Sequence, residues 1–232
     1  MIKDNNSFGK IIKEMVYKIE NPGTNYIPER GFRMSSASYP CDRQIQLRHR
    51  PNLYLDPIII QMIQDIATKR YSGVTPMVIG SLVHEYIQAH LSAKAEEEVR
   101  IDQGVLLTGH YDLLLTIDDM QVVCDIKTSK EYARNYLPVQ GHLDQIMLYM
   151  GALSVSNGVL LYIMRDTGDI VPIDIEFDEE HYDRLIERFK MIQKSEDDRI
   201  LLPTFSPQNN GFPCVYCEWV DYCFGKDGDV VG

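Results

Sequence analysis

Two carboxylates and a lysine carry the most legible chemistry in this chain. Asp112 ends Gly109-His110-Tyr111-Asp112, and thirteen residues later comes Asp125-Ile126-Lys127. Both runs lie at the ends of apolar, strand-like segments. Side chains two apart on a strand share a face, so Asp125 and Lys127 point the same way. Carboxylate oxygens are hard ligands that suit Mg²⁺ or Mn²⁺. Such an ion lowers the pKa of a bound water and holds a phosphate oxygen. A lysine beside it can position that water and neutralise charge building on the phosphate. Together these groups could cut a phosphodiester.

Two helical motifs must converge on them. In Gly80-Ser81-Leu82-Val83-His84, the imidazole of His84 can ligate a metal. In Gln145-Ile146-Met147-Leu148-Tyr149, Gln145 and Tyr149 share one helix face. Both can hydrogen-bond a phosphate or order the lysine. Each piece also has an ordinary reading. Asp-x-Lys is a common surface tripeptide, and a helical histidine is more often a core or surface residue than a ligand. The signal is in the combination and its order.

A second set lies far away in sequence. Cys214-x-x-Cys217 and Cys223 cluster near the end, and Cys41 stands 173 residues before Cys214. Cys124, in the apolar run Val122-Val123-Cys124, alternates away from Asp125 and reads as core. The other four thiols match a [4Fe–4S] cluster or a structural zinc. Spacing alone leaves that choice open. An odd cysteine count in a chain with no signal-like start argues against a disulfide framework.

The elements that must position these residues follow from periodicity. Helical patterns run over 8–19, 42–50, 57–70, 76–93, 137–153 and 179–194. Strand patterns cover 99–101, 105–108, 111–117, 121–126, 158–165 and 170–175. Asp118-Asp119 predicts a hairpin turn, and Asp166-Thr167-Gly168-Asp169 a second one. Residues 24–40 and everything from Leu202 onward read as loop. This order predicts an α/β or α+β single domain with a mixed sheet flanked by helices, its end segments needing to be tied down. The expected division is 1–75 for the N-terminal helical segment with Cys41, 76–200 for the core and 201–232 for the cysteine-rich tail.

Composition sets the outer bounds. The chain has 232 residues, 44% of them hydrophobic, with a net charge of −11. No apolar run approaches the roughly 18 residues of a membrane span. An intracellular protein with no membrane partner is expected. The acidic balance argues against a nonspecific DNA coat but not against a nucleic-acid enzyme. From Glu29 to Arg50, five arginines face two acids, a net charge of plus three. Arg43, Arg48 and Arg50 in that window are candidate phosphate contacts, with a solvated helix face as the competing reading. Tyr216, Trp219 and Tyr222 are candidates for stacking on bases or for shielding the cysteines.

The motifs Gly80-x-x-x-His84, Gly109-x-x-Asp112, Asp125-x-Lys127 and Gln145-x-x-x-Tyr149, in this order, resemble the RecB-type nucleases of the PD-(D/E)xK superfamily. The resemblance runs from about residue 35 to residue 223. It implies the restriction-endonuclease-like core, with His84, Asp112, Asp125 and the carbonyl of Ile126 as ligands of Mg²⁺ or Mn²⁺. Lys127 would be the catalytic lysine, with Gln145 and Tyr149 as the helix motif contacting DNA or the site. Gly109-His110-Tyr111-Asp112 replaces the proline-aspartate pair, a form usual in this branch.

The arrangement of Cys41, Cys214, Cys217 and Cys223 resembles the AddB nuclease domain and the CRISPR-associated "Cas four" exonucleases. So does the lead-in Ser35-x-x-Ser38-Tyr39-Pro40-Cys41-Asp42-Arg43. This implies a [4Fe–4S] clasp joining the chain ends, with Zn²⁺ as the alternative. It also implies a single-stranded DNA exonuclease of 5′→3′ polarity. Partners would be a CRISPR adaptation complex or viral recombination and replication proteins. Two other readings stay open: a catalytically silent DNA-binding or scaffold module, and a zinc-stapled protein of another class.

Overall fold

Alternation along the chain builds two sheets that meet at the first motif carboxylate. The structure is a computed structural model describing residues 31–70, 80, 82–85, 87–88, 94–95, 97–117, 119–205 and 213–224. The helix expected over 8–19 lies outside these residues, and the one expected over 76–93 lies partly outside. Residues 82–85 and 87–88 of the latter are helical.

The described strands are β1 (Phe32–Arg33), β2 (Lys94–Ala95), β3 (Glu98–Asp102), β4 (Leu106–His110), β5 (Leu113–Ile117), β6 (Met120–Ser129), β7 (Asn157–Met164) and β8 (Ile170–Glu176). One sheet has the order β1-β4-β3 and the other β2-β5-β6-β7-β8. The β6–β7 pair is parallel, whereas β5–β6 and β7–β8 are antiparallel. The described helices are α1 (Asp42–His49), α2 (Pro57–Arg70), α3 (Gln140–Leu153), α4 (Glu179–Asp197) and α5 (Val220–Phe224). Helix α3 makes the crossover between the parallel strands and packs on β3, β6, β7 and α4. This is the mixed α/β architecture expected from the sequence.

Burial explains the elements. β7 alternates half-buried and buried residues, the signature of a strand with one face on the core. The centre of β6, from Val122 to Ile126, is buried throughout, as suits an interior strand covered on both faces. Asp178 caps α4 by accepting a 3.1 Å hydrogen bond from the His181 N–H. Gly168, at φ +80°, turns the β7–β8 hairpin.

Three boundaries differ from expectation. The sequence predicts loop over 24–40; 24–30 lie outside the described residues, and beyond them β1 pairs in parallel with β4 and a 3₁₀ turn spans Met34–Ser38. The anchor is Phe32, buried against the rings of His49 and Phe189 at 4.0 and 5.3 Å. Helix α3 begins at Gln140 rather than 137, because Leu137 is held extended before Pro138. A 3₁₀ segment over Glu131–Tyr136 fills the gap. The tail is not all loop: α5 packs into a second core with Leu47, Leu55, Ile60, Ile63 and Trp219.

Polar side chains of α1 tie this tail down. The fully buried Gln46 donates to Tyr54 Oη and the Ile200 carbonyl and accepts from the Leu202 N–H, at 2.8–2.9 Å. Gln44 donates to Glu218 Oε2 at 3.1 Å. Among the described residues, no helix is long and apolar enough to cross a membrane.

Candidate active site

Pairing of β5 with β6 sets Leu113 opposite Cys124. Asp112 stands just outside this ladder, with its carboxylate on the Ile126 N–H of β6. Asp112 sits between β4 and β5, where the chain passes from one sheet to the other. Its carboxylate is therefore freed from strand packing but fixed by it on both sides. Asp112 Oδ2 accepts a 2.6 Å hydrogen bond from the Ile126 N–H, and Oδ1 lies 3.3 Å from His84 Nδ1. The Asp112 contact, against the opposing effect of burial, raises the His84 pKa above its ordinary value.

Asp125 is 2% exposed, and its Oδ2 lies 2.6 Å from Lys127 Nζ. Oδ2 is buried from water, and the Lys127 ammonium is its partner among the described residues. A desolvated carboxylate is costly unless a cation offsets it, and Lys127 is such a cation here. Burial raises the Asp125 pKa to about 6, assisted by the Asp112 charge and opposed by Lys127. The donor set fits a divalent ion: the hard oxygens of two carboxylates with an imidazole alongside.

Gln145 donates a 2.9 Å hydrogen bond to the hydroxyl of Tyr149 on α3. Burial, together with the charges of Asp125 and Asp112, keeps the Tyr149 phenol protonated, although the Gln145 bond opposes this. Gly109 makes room for that ring: a Cβ there would stand 2.8 Å from Tyr149 Cε1. The helix motif and the Gly109 motif thus meet through packing.

Two residues at this site, Gln88 and His142, belong to none of the sequence motifs. Gln88 donates to the Asp112 carbonyl at 3.1 Å. It lies one helical turn beyond His84, so the two side chains hold the backbone and the carboxylate of the same aspartate. The helical spacing His84-x-x-x-Gln88 was the available signal. His142 Nδ1 is 2.8 Å from Tyr162 Oη, which also accepts from the Val139 N–H. Tyr162 pairs with Lys127 across β6–β7. Burial, aided by the Lys127 charge, lowers the His142 pKa to about 4, so its ring is neutral.

A family model, the PD-(D/E)XK nuclease superfamily, matches residues 69–224, the span that contains every residue of this site. The chain belongs to the PD-(D/E)XK nuclease superfamily. Among solved structures, SSO0001 is similar in fold, at 20% identity and a TM-score of 0.66, over 94% of this chain and 98% of that one. An alkaline exonuclease from Laribacter hongkongensis aligns at 11% identity and a TM-score of 0.46, over 73% of this chain and 89% of its own. A phage related exonuclease from Haemophilus somnus 129PT aligns at 14% identity and a TM-score of 0.43, over 72% of this chain and 94% of its own. No curated protein matches the chain in sequence.

In this PD-(D/E)XK chain the cysteines separate as their environments require. Cys124 is buried against Leu113 and Ile126, and burial raises its thiol pKa to about 12. Such a thiol is inert. Cys41, Cys214, Cys217 and Cys223 line one largely apolar cavity with Leu47, Trp219 and Phe224. Burial raises the pKa values of the Cys217 and Cys223 thiols. Trp219 Nε1 is buried without a hydrogen-bond partner among the described residues. Four convergent thiols and an unpaired donor fit a thiolate-bound metal group. Among the described residues, no three His, Cys, Asp or Glu side chains already stand at metal-holding spacing, so both donor sets are convergent rather than closed.

The arginines proposed for phosphate are engaged elsewhere. Arg43 is buried, bonded to the Leu202 carbonyl, with Nη1 4.0 Å from Cys223 Sγ. Arg48 pairs with Glu218 and lies over the Tyr39 ring. Arg50 lies 3.7 Å from Glu196 and 4.0 Å from Asp197. The sequence placed them in one basic window. The fold spends them on tying α1 to the tail and to the end of α4. Tyr216 is exposed, whereas Trp219 is buried in the cysteine cavity.

Proposed function

We propose that this chain is a divalent-metal-dependent deoxyribonuclease that trims single-stranded DNA ends, with 5′→3′ polarity, and carries a [4Fe–4S] cluster. The observation that carries the catalytic reading is the buried Asp125–Lys127 pair facing Asp112 and His84. His84, Asp112, Asp125 and the carbonyl of Ile126 would hold Mg²⁺ or Mn²⁺. The ion, when bound, supplies an acidified water and a Lewis acid for the phosphate.

The protein groups divide the remaining work. Asp112 is braced by the Ile126 N–H, His84 and Gln88, so its carboxylate is preorganised. Lys127, held beside Asp125, is placed to orient the attacking water and to offset charge on the phosphate. The neutral His142 and the protonated Tyr149 add hydrogen-bonding capacity without adding charge. Gln145 fixes the orientation of the Tyr149 hydroxyl.

Cys41, Cys214, Cys217 and Cys223 would hold the cluster, with Zn²⁺ as the other occupant their chemistry admits. The functional division follows: 1–75 with the first cluster ligand, 76–200 as the nuclease core and 201–232 as the cysteine-rich tail. A CRISPR adaptation complex or a viral recombination machinery would supply the DNA end.

The test uses anaerobically purified protein, Mg²⁺ or Mn²⁺, and single-stranded DNA labelled at either end. Loss of the 5′ label first, abolished by Asp125→Ala, is the expected result. Intact DNA with folded, iron-loaded protein would leave the silent scaffold reading. Zinc without iron would assign the cysteines to a structural staple.

A further inference from the structure

The catalytic strand runs on into an exposed aromatic segment that the site described above does not use. Lys130 follows β6 directly, three residues beyond Lys127, and the 3₁₀ segment Glu131–Tyr136 comes next. Tyr132 is 77% exposed and Tyr136 78%, the highest exposures among the described large apolar and aromatic side chains. Neither ring contributes to the core.

Yet the backbone beneath them is firmly pinned. The Glu131 N–H donates to the Asp166 carboxylate at 2.9 Å. Arg134 pairs with Glu131 and reaches Asp169 in the β7–β8 turn. On the far side, the Val139 N–H donates to Tyr162 Oη, and Tyr162 pairs with Lys127 across the sheet. One end of the segment is therefore tied to the β7–β8 turn, and the chain beyond the other end to the residue paired with Lys127. Two large rings held out to solvent on a fixed frame have no folding purpose. They cost little further conformational entropy when something stacks on them.

Three acids and three bases lie here, and the acids are engaged within the fold while two of the bases have no acid partner among the described residues. Glu131 and Asp169 are satisfied by Arg134, and Asp166 by a backbone N–H. Lys130 has no acid partner among the described residues, and its Nζ lies 5.9 Å from the Tyr132 ring. Arg165, whose backbone N–H bonds the Ser129 carbonyl at the shared end of β6 and β7, has a buried Nε with no partner among the described residues. Exposed rings interleaved with free cations, continuous with a phosphodiester site, fit one ligand class: a nucleic acid strand with unpaired bases. A duplex keeps its base faces stacked inside and cannot use the rings.

We propose that Tyr132 and Tyr136 form a stacking platform that holds the unpaired strand next to the catalytic site, with Lys130 and Arg165 contacting its phosphates. This rests on the nuclease reading of that site and adds a source for single-strand preference.

The test separates the two readings. Full-length protein in a Lys127→Ala background is titrated with fluorescein-labelled oligo-dT and with a blunt duplex, with anisotropy as the readout. Tyr132→Ala/Tyr136→Ala is expected to weaken oligo-dT binding roughly ten-fold or more. Duplex binding stays unchanged, and Tyr132→Phe/Tyr136→Phe binds like the parent. In the Lys127-containing protein, hydrolysis of thymidine 5′-p-nitrophenyl phosphate by the alanine variant stays unchanged, because that substrate has no following bases. Equal oligo-dT binding by the parent and the alanine variant would overturn the platform, and would leave a protein partner as the occupant of the rings. Absence of DNA binding by the parent would overturn the nuclease reading instead. Unchanged melting of the alanine variant is the folding control.

Discussion

The Ile126 backbone N–H donates a 2.6 Å hydrogen bond to Asp112 Oδ2, locking the loop before β5 onto β6 between Asp125 and Lys127. Asn at position 112 keeps an acceptor for that N–H but loses the charge. Asp112→Asn is therefore expected to melt close to wild type while cleavage falls by roughly a hundred-fold or more. Asp112→Ala should lose stability too, by about 1–3 kcal/mol, because the donor is left unmet. Equilibrium unfolding beside a cleavage assay checks both. Equal stability of the two variants would show that the bond is not structural.

Gln88 holds the Asp112 carbonyl, one turn along from His84. Gln88→Leu is expected to weaken apparent Mg²⁺ affinity roughly 10–100-fold, as loss of an outer support does at metal sites. Activity measured across a Mg²⁺ titration gives the answer. An unchanged Mg²⁺ midpoint would remove Gln88 from the site.

Asp125 gives a pH dependence with a definite sign. Its pKa rises from the ordinary 3.8 to about 6 on burial. Between those values the folded protein binds more protons than the unfolded one, so stability falls as pH rises. The stabilising contribution is complete below about 4 and gone above about 6. His84, raised by Asp112, adds a loss of the same sign as pH passes through its folded value. In EDTA, the stability of wild type relative to Asp125→Asn should decline between about pH 4 and 6, by on the order of 1–3 kcal/mol. Added Mg²⁺ should reverse this by binding the ionised form. Urea unfolding at a series of pH values tests it, and a pH-independent difference would contradict the burial argument.

Gly109 lies 2.8 Å, from where its Cβ would be, to Tyr149 Cε1, and 3.2 Å to Met34 Cβ. Both neighbours are buried side chains with little room to retreat. Gly109→Ala is expected to destabilise by about 1–3 kcal/mol. Displacement of Tyr149 from Gln145 should lower activity with it. A melt indistinguishable from wild type would mean that the α3 motif packs more loosely than these distances imply.

Cys41 opens α1, and its partners stand in the tail, so loss of the thiol should be felt in folding before chemistry. Cys41→Ala is expected to give poor yield and a broadened melt, with residues 201–232 cleaved first in limited proteolysis. Gln46 and Arg43 hold the tail independently, so residual docking should survive. Normal yield with an intact transition would refute a clasp at this cavity.

Local pattern made much of this architecture readable. The limits of α2 and the β5–β6 hairpin follow from apolar periodicity and turn residues over short windows. The start of α3 was misplaced because a 3₁₀ segment and Pro138 set it, and Leu137 reads as apolar either way. The burial of α5 could not be read, because its packing partners in α1 and α2 lie more than 150 residues away. The partners of Arg43, Arg48 and Arg50 could not be read for the same reason: sequence shows a charge but not the acid or carbonyl beside it.

The sequence by itself determined the donor types, their order and the alternation that places Asp125 and Lys127 on one strand face. Those are properties of short windows, where backbone period dictates direction. Only the tertiary structure decided that Asp112 would be gripped by Ile126, His84 and Gln88, and that Asp125 would lose its water. It also decided which groups Arg43, Arg48 and Arg50 would meet and that Tyr132 and Tyr136 would stay exposed. Burial and pairing depend on contacts between distant segments, and a linear pattern does not encode which groups are left facing solvent.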